Sequence, residues 1–130
     1  MRKLHLAVGL IGIVAFLLTG AYLRRHTPPM SELDPVPRLL LRSRHVYLLL
    51  SSLLNVGVGT HYVVATTNAR RALQSLGSML LLAAPLFVLA AFFLEADRGN
   101  LQGKLGLAAV SLMLAGTLLQ LASTLRRPVP

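Results

Sequence analysis

Arg42-Ser43-Arg44-His45-Val46-Tyr47, followed by the apolar run 48–62, is the stretch that decides the fold of this chain. Basic and aromatic residues lead into a run long enough, at about 1.5 Å per residue, to belong to a helix that crosses a bilayer. This run also carries small and polar residues, namely Ser51, Ser52, Asn55, Gly57, Gly59 and Thr60. Polar groups in hydrocarbon must be satisfied inside the protein. The stretch therefore predicts a membrane helix with one face against protein.

The composition of the 130-residue chain points to the same class of protein. The residues are 55% hydrophobic and 13% charged, and the mean hydropathy is +0.67. Such a chain is too apolar for an ordinary soluble domain. The absence of cysteine excludes disulfides, thiolate metal sites and cysteine nucleophiles. The net charge of +9 comes from Lys and Arg outside the apolar runs, so we expect membrane lipids as partners and no nucleic acid.

Four apolar runs predict an all-α fold, an integral membrane four-helix bundle in a single transmembrane domain over residues 1–130. The predicted spans are 4–23, 46–65, 73–94 and 105–121, and residues 24–45 form a loop with an interfacial segment. The prolines of this loop are expected to break any helix across it, and they are Pro28, Pro29, Pro35 and Pro37. The first run is too long for the apolar region of a signal peptide, so we expect it to stay in the protein.

The four spans predict that both termini lie on one side of the membrane, the terminal side. The longer connections 24–45 and 95–104 then lie on the other, the loop side. Basic residues divide almost evenly between the two sides, so they give no clear orientation. All four acids fall on the loop side, which favours cytoplasmic termini, and these are Glu32, Asp34, Glu95 and Asp97.

Helical spacing places small or weakly polar residues on one face of each span. On the second span, at about 100° per residue, four of them fall within an arc of about 80°, and they are His45, Ser52, Asn55 and Gly59. The first span has a similar face made of His5, Gly9, Gly12, Phe16, Thr19 and Gly20. Helices in lipid associate through close backbone approach at such residues. We therefore interpret a set of them as packing residues: Gly9, Gly12, Ser52, Gly59, Gly106 and Thr117.

Four residues at and after the basic cluster are the candidates for binding a ligand or a lipid: Arg42, Arg44, His45 and Asn55. Arginine supplies forked donors for a phosphate or a carbonyl oxygen, and histidine adds a titratable group. Asn55 needs partners because a side-chain amide near mid-membrane often marks a ligand or a pathway. The alternative is that the arginines and Tyr47 only anchor the helix at the membrane interface.

The histidines are the candidates for cofactor chemistry. Antiparallel packing of the first two spans would place His5 and His61 near one membrane surface. It would place His26 and His45 near the other. A pair of histidines at each surface would suit a b-type haem, because such a haem can take two imidazoles as axial ligands. However, His45 and His61 are sixteen residues apart and point about 160° away from each other. We therefore predict no cofactor and no metal, and keep haem b at His5, His45 or His61 as an alternative.

Signatures of catalysis are missing from the sequence. No acid lies within a span, and neither a phosphate-binding glycine-rich loop nor a zinc motif occurs, so we name no catalytic residue. The prediction is a non-enzymatic membrane subunit or a lipid- or ligand-binding module. Two alternatives stay open, a haem- or quinone-linked redox protein that uses one of the histidines and a transporter of small molecules or lipids. The protein partner is either a second copy of the chain or another membrane protein.

Several short strings carry a resemblance to known proteins. They are Leu4-His5-Leu6, Gly9-Leu10-Ile11-Gly12, Phe16-Leu17-Leu18-Thr19-Gly20 and Arg42-Ser43-Arg44-His45-Val46-Tyr47. These strings resemble a group of small, uncharacterised four-helix proteins of the bacterial inner membrane. The resemblance covers mainly the first half of the chain. It implies a multi-pass protein of that membrane, and it transfers no catalytic residue.

Overall fold

A computed structural model describes residues 1–25, 28–95 and 103–124, which form four α-helices and, within these ranges, no β-strand. The helices are α1 (Arg2–Arg24), α2 (Pro35–His61), α3 (Asn68–Leu94) and α4 (Lys104–Thr124). The predicted all-α class with four helices is confirmed. His26 and Asp97, which entered the sequence analysis, lie outside the described residues.

Among the described helices, α1, α3 and α4 are long and apolar enough to cross a membrane. This is consistent with a membrane protein, and the fourth span remains a prediction. Helix α2 is less apolar because its first half contains Arg38, Arg42 and Arg44. Its apolar run is also interrupted by Ser51, Ser52 and Asn55. All three side chains are fully buried between neighbouring helices, so their polarity is not presented to the surroundings of the protein.

The start of α2 differs from the sequence prediction. The helix begins at Pro35, upstream of the predicted span start at Val46, and much of the predicted loop is therefore helical. The expectation that Pro35 and Pro37 break a helix was wrong because both lie in the first turn. There a backbone N–H has no partner within the helix, and the fixed φ of proline suits a helix start. Helix α3 likewise begins early, after Thr67, whose side chain accepts a hydrogen bond from the Arg70 backbone N–H at 3.4 Å.

The helices form two hairpins, α1 with α2 and α3 with α4, which meet mainly along α2 and α3. A buried apolar cluster lies where α2, α3 and α4 meet, and it contains Leu48, Ala84, Val88, Ala109 and Met113. Glycines bring α3 and α4 together, since a Cβ on Gly77 would lie 2.9 Å from the carbonyl oxygen of Gly116. This arrangement leaves α1 and α4 at the outside of the bundle, on opposite sides of the α2–α3 pair.

Candidate functional site

The polar and small-residue stripe of α2, which helical spacing predicted to face protein, lies against α1 along its whole length. His45 contacts Thr19, Ser52 lies against Gly12, and a Cβ on Gly59 would lie 2.9 Å from the backbone nitrogen of Leu6. Two of these partners on α1, Gly12 and Thr19, belong to the small-residue face predicted for the first span, whereas Leu6 does not. The two helices therefore pack together at four small residues, which are Gly9, Gly12, Ser52 and Gly59. The two helices are antiparallel.

His5 and Asn55 form the central polar contact of this interface. Both are fully buried, and His5 Nδ1 lies 2.7 Å from Asn55 Oδ1. The Asn55 amide nitrogen donates to the carbonyl oxygens of Ser51 at 2.9 Å and Leu81 at 2.8 Å. Asn55 Oδ1 must therefore be an acceptor, so His5 carries its proton on Nδ1. Asn55 therefore links α1, α2 and α3. The other ring nitrogen of His5, Nε2, has no hydrogen-bond partner among the described residues.

Replacement of Asn55 by Leu is expected to destabilise the protein by about 1–3 kcal/mol. The substitution leaves the buried Nδ1–H of His5 without an acceptor, and an unsatisfied buried donor costs about that much. The free energy of unfolding in mixed detergent micelles measures the loss. Thr60→Val is the control, because Thr60 is exposed and the described hydrogen bonds of its hydroxyl all lie within α2. Equal effects of the two substitutions would contradict a structural role for Asn55.

Arg44 and Glu95 form a buried ion pair at the loop side of the bundle. Arg44 Nη2 lies 3.0 Å from Glu95 Oε2, and the two residues are 3% and 7% exposed. The carboxylate also accepts hydrogen bonds from the backbone N–H groups of Leu105 at 2.7 Å and Gly106 at 3.2 Å, at the start of α4. A negative charge is favourable at a helix N-terminus. The pair therefore ties α2, the end of α3 and the start of α4 together, and Gly106 lies beside it.

His45 lies in a cavity at the loop-side end of α1 and α2. Its imidazole stacks on Phe16, with ring centroids 4.1 Å apart and planes 15° apart. His45 Nδ1 lies 3.0 Å from the hydroxyl of Thr19, which donates to the carbonyl oxygen of Phe16 at 3.0 Å. The cavity has a volume of about 410 Å³. Its walls are formed by Phe16, Leu17, Gly20, Ala21, Arg24, Arg25 and His45.

The four predicted binding residues do not form one site. Arg44 is held by Glu95, and Asn55 is held by His5. Arg42 is exposed, and His45 faces α1. The sequence analysis missed Arg24 and Arg25, which share the cavity of His45. Their position directly after the first span was the available signal, because an antiparallel partner brings them near the start of the second.

The three candidate haem ligands lie in three separate places. His5 is buried against Asn55, whereas His45 lines the cavity with Arg24 and Arg25. His61 is exposed and lines a groove of about 460 Å³ between α2 and α4, where the half-buried Thr117 also lies. No two of these three imidazoles therefore lie together as the two axial ligands of one haem would. The described residues also contain no group of three or more His, Asp or Glu side chains that could hold a metal ion.

Comparison of the chain with family models, curated proteins and solved structures finds no match. Functional inference therefore depends on the geometry of the sites. Of the polar groups described above, Arg44 and Asn55 are engaged within the protein. The cavity at His45 differs from these contacts because it combines cations, an oriented imidazole and apolar walls around open space.

Proposed function

We propose that this chain is a non-enzymatic lipid-binding membrane module that holds an anionic lipid headgroup at the loop side of α1 and α2. The observation that carries the proposal is the cavity of about 410 Å³ lined by Arg24, Arg25 and His45. In this proposal all four helices cross a bacterial inner membrane, with both termini in the cytoplasm. The resemblance of the first half of the chain supports that membrane, and the buried polar face of α2 supports its insertion.

The charge at the cavity favours an anion. Arg24 and Arg25 are both exposed, and no described residue forms an ion pair with either side chain. Guanidinium groups present forked donors that match a phosphate, and charged pairs of this kind are stronger than neutral hydrogen bonds. Two such groups beside one cavity therefore suit a phosphate-bearing headgroup.

The apolar walls favour a lipid as the carrier of that phosphate. Leu17 is 63% exposed and Ala21 is exposed beside it, so the α1 surface below the arginines is open to acyl chains. Interfacial arginines that only anchor a helix need no cavity and no oriented imidazole. Here Phe16 and Thr19 hold His45 in one orientation at the cavity wall. A fixed imidazole of this kind favours a site that recognises a particular headgroup.

A double substitution tests the proposal. Arg24→Gln with Arg25→Gln is expected to weaken binding of tail-labelled phosphatidylglycerol to the detergent-purified protein by about thirtyfold, since each basic residue near an anionic surface contributes about 1 kcal/mol. Labelled phosphatidylcholine serves as the uncharged reference lipid.

The matched control is Arg2→Gln with Lys3→Gln, which removes the same charge from exposed positions at the other end of α1. This pair is expected to leave phosphatidylglycerol binding within about twofold, because it lies a whole helix length from the cavity. Equal losses in the two double variants would show binding by net charge alone and would overturn the proposal.

A further inference from the structure

We infer that the headgroup is a phosphodiester with a hydroxyl on its alcohol, such as glycerol. His45 Nε2 accepts a hydrogen bond from this hydroxyl while Arg24 and Arg25 hold the phosphate. The inference rests on the function proposed above and names its lipid class.

Thr19 fixes the proton of His45. A threonine hydroxyl has one proton, and Thr19 donates it to the carbonyl oxygen of Phe16 at 3.0 Å. The 3.0 Å contact with His45 Nδ1 and the contact with Phe16 are both hydrogen bonds only when the threonine oxygen accepts and Nδ1 donates, and this arrangement assigns the proton to Nδ1. A neutral imidazole with its proton on Nδ1 has only a lone pair at Nε2. His45 thus presents an acceptor on the edge away from Thr19.

The packing of the ring places this acceptor at the cavity. Phe16 covers one face of the imidazole at 4.1 Å between centroids. A Cβ on Gly20 would lie 3.5 Å from Nε2 and 3.2 Å from Cε1, so the Nε2 edge lies against a residue that also lines the cavity. The absence of a side chain on Gly20 keeps this edge open to a ligand.

An acceptor between two cations selects the chemistry of the ligand. The oxygens of a phosphodiester are acceptors as well, so a neutral Nε2 needs a donor elsewhere on the headgroup. Burial lowers the pKa of His45 and so favours its neutral form. The two guanidinium groups disfavour the ammonium of an ethanolamine or choline headgroup. A hydroxyl carries a proton without charge. The combination fits phosphatidylglycerol better than phosphatidylmethanol, a phosphodiester of the same charge that lacks this hydroxyl.

The inference is tested with detergent-purified protein and four tail-labelled lipids, phosphatidylglycerol, phosphatidylmethanol, phosphatidylethanolamine and phosphatidylcholine. We expect phosphatidylglycerol to bind about tenfold more tightly than phosphatidylmethanol, which is the effect of one added hydrogen bond between headgroups of equal charge. His45→Phe keeps the stack on Phe16 and is expected to abolish this preference. His61→Phe, at an exposed histidine, is the matched control and should keep the preference.

A second variant keeps the inference testable if His45→Phe fails to fold. Thr19→Val keeps His45 but removes the oxygen that fixes its tautomer, so the preference for phosphatidylglycerol should fall by at least about threefold. Soluble glycerophosphoglycerol has the same phosphodiester and glycerol hydroxyls without acyl chains. It is expected not to displace the labelled lipid at equal concentration, and displacement by it would assign the site to a soluble ligand instead.

The outcomes separate the two proposals. Binding of anionic lipids that needs Arg24 and Arg25, but without preference for phosphatidylglycerol, would overturn the inference and keep the proposed function. A preference that survives both His45→Phe and Thr19→Val would also overturn the inference. No binding of any anionic lipid above phosphatidylcholine would overturn both.

Discussion

Replacement of Glu95 by Gln is expected to destabilise the protein by about 3 kcal/mol or more. Arg44 is 3% exposed and has Glu95 as its partner at 3.0 Å. Gln has the shape of Glu but not its charge, so it would leave a buried guanidinium without a counter-ion. Breaking a buried pair from one side costs about 3–5 kcal/mol, because the remaining charge stays desolvated.

The effect extends to the start of α4. The Glu95 carboxylate accepts hydrogen bonds from the backbone N–H groups of Leu105 and Gly106. Since a formal negative charge at a helix N-terminus is more favourable than a neutral amide, the substitution also weakens the first turn of α4. Faster hydrogen exchange at Leu105 and Gly106 is the expected local signature.

Two controls isolate the buried charge. Glu32→Gln makes the same chemical change at an exposed acid and is expected to change the free energy of unfolding by less than about 0.5 kcal/mol. Arg44→Met combined with Glu95→Leu removes both charges and should destabilise less than Glu95→Gln alone, because no unpaired ion remains. Unfolding by SDS in mixed micelles, followed by circular dichroism, measures all three. A loss in Glu95→Gln no larger than in Glu32→Gln would rule out a structural role for the pair.

The packed faces of α1 and α2 could be predicted from the sequence because they follow helical periodicity. Gly12, Thr19, His45 and Ser52 were each placed on the correct face, since spacing at about 100° per residue depends only on the helix itself. The partners across the interface could not be predicted at the same level. Pairing depends on the register between two helices, which spacing within one helix does not specify.

The ion pair was missed for a different reason. Glu95 follows the apolar run of α3 and has the composition of a turn, so it was predicted as part of a polar connection. Its burial depends on Arg44, which lies on another helix more than fifty positions earlier in the chain. A basic residue and an acid at the loop-side ends of two apolar runs were the only sequence signal. The arginine is also typical of an interface anchor.

The boundaries of α2 show how local signals compete. Proline was taken as a helix breaker, although Pro35 occupies the first turn, where its missing N–H removes no helical hydrogen bond. Extension of the helix to Pro35 brings Arg44 and His45 into a regular helix rather than a loop. This regular geometry directs Arg44 toward α4 and His45 toward α1, and it separates two residues that the sequence analysis had grouped in one site.

Replacement of Gly9 by Ala is expected to destabilise the α1–α2 pair by about 1–3 kcal/mol, the usual cost of overpacking. A Cβ at Gly9 would lie 2.8 Å from the backbone nitrogen of Val56 and 2.9 Å from the carbonyl oxygen of Ser52. These are backbone atoms of α2, so no side-chain rotation relieves the contact and the two helices must move apart. Because His5 is one turn away on the same face, the separation should also lengthen its hydrogen bond to Asn55.

Gly57 provides the matched control for Gly9. It lies in α2, and a Cβ there would meet no atom of the described residues within 4 Å. Gly57→Ala is therefore expected to be neutral or to stabilise by up to about 1 kcal/mol, since alanine is the better helix former. The free energy of unfolding in mixed micelles measures both variants, and the shift of the His5 side-chain signal in NMR reports the local contact. Similar values for Gly9→Ala and Gly57→Ala, with an unchanged His5 signal, would show that α1 and α2 do not meet at Gly9. A specific loss in Gly9→Ala would establish that backbone contact, rather than side-chain polarity, sets the distance between the helices whose loop-side ends form the proposed lipid site.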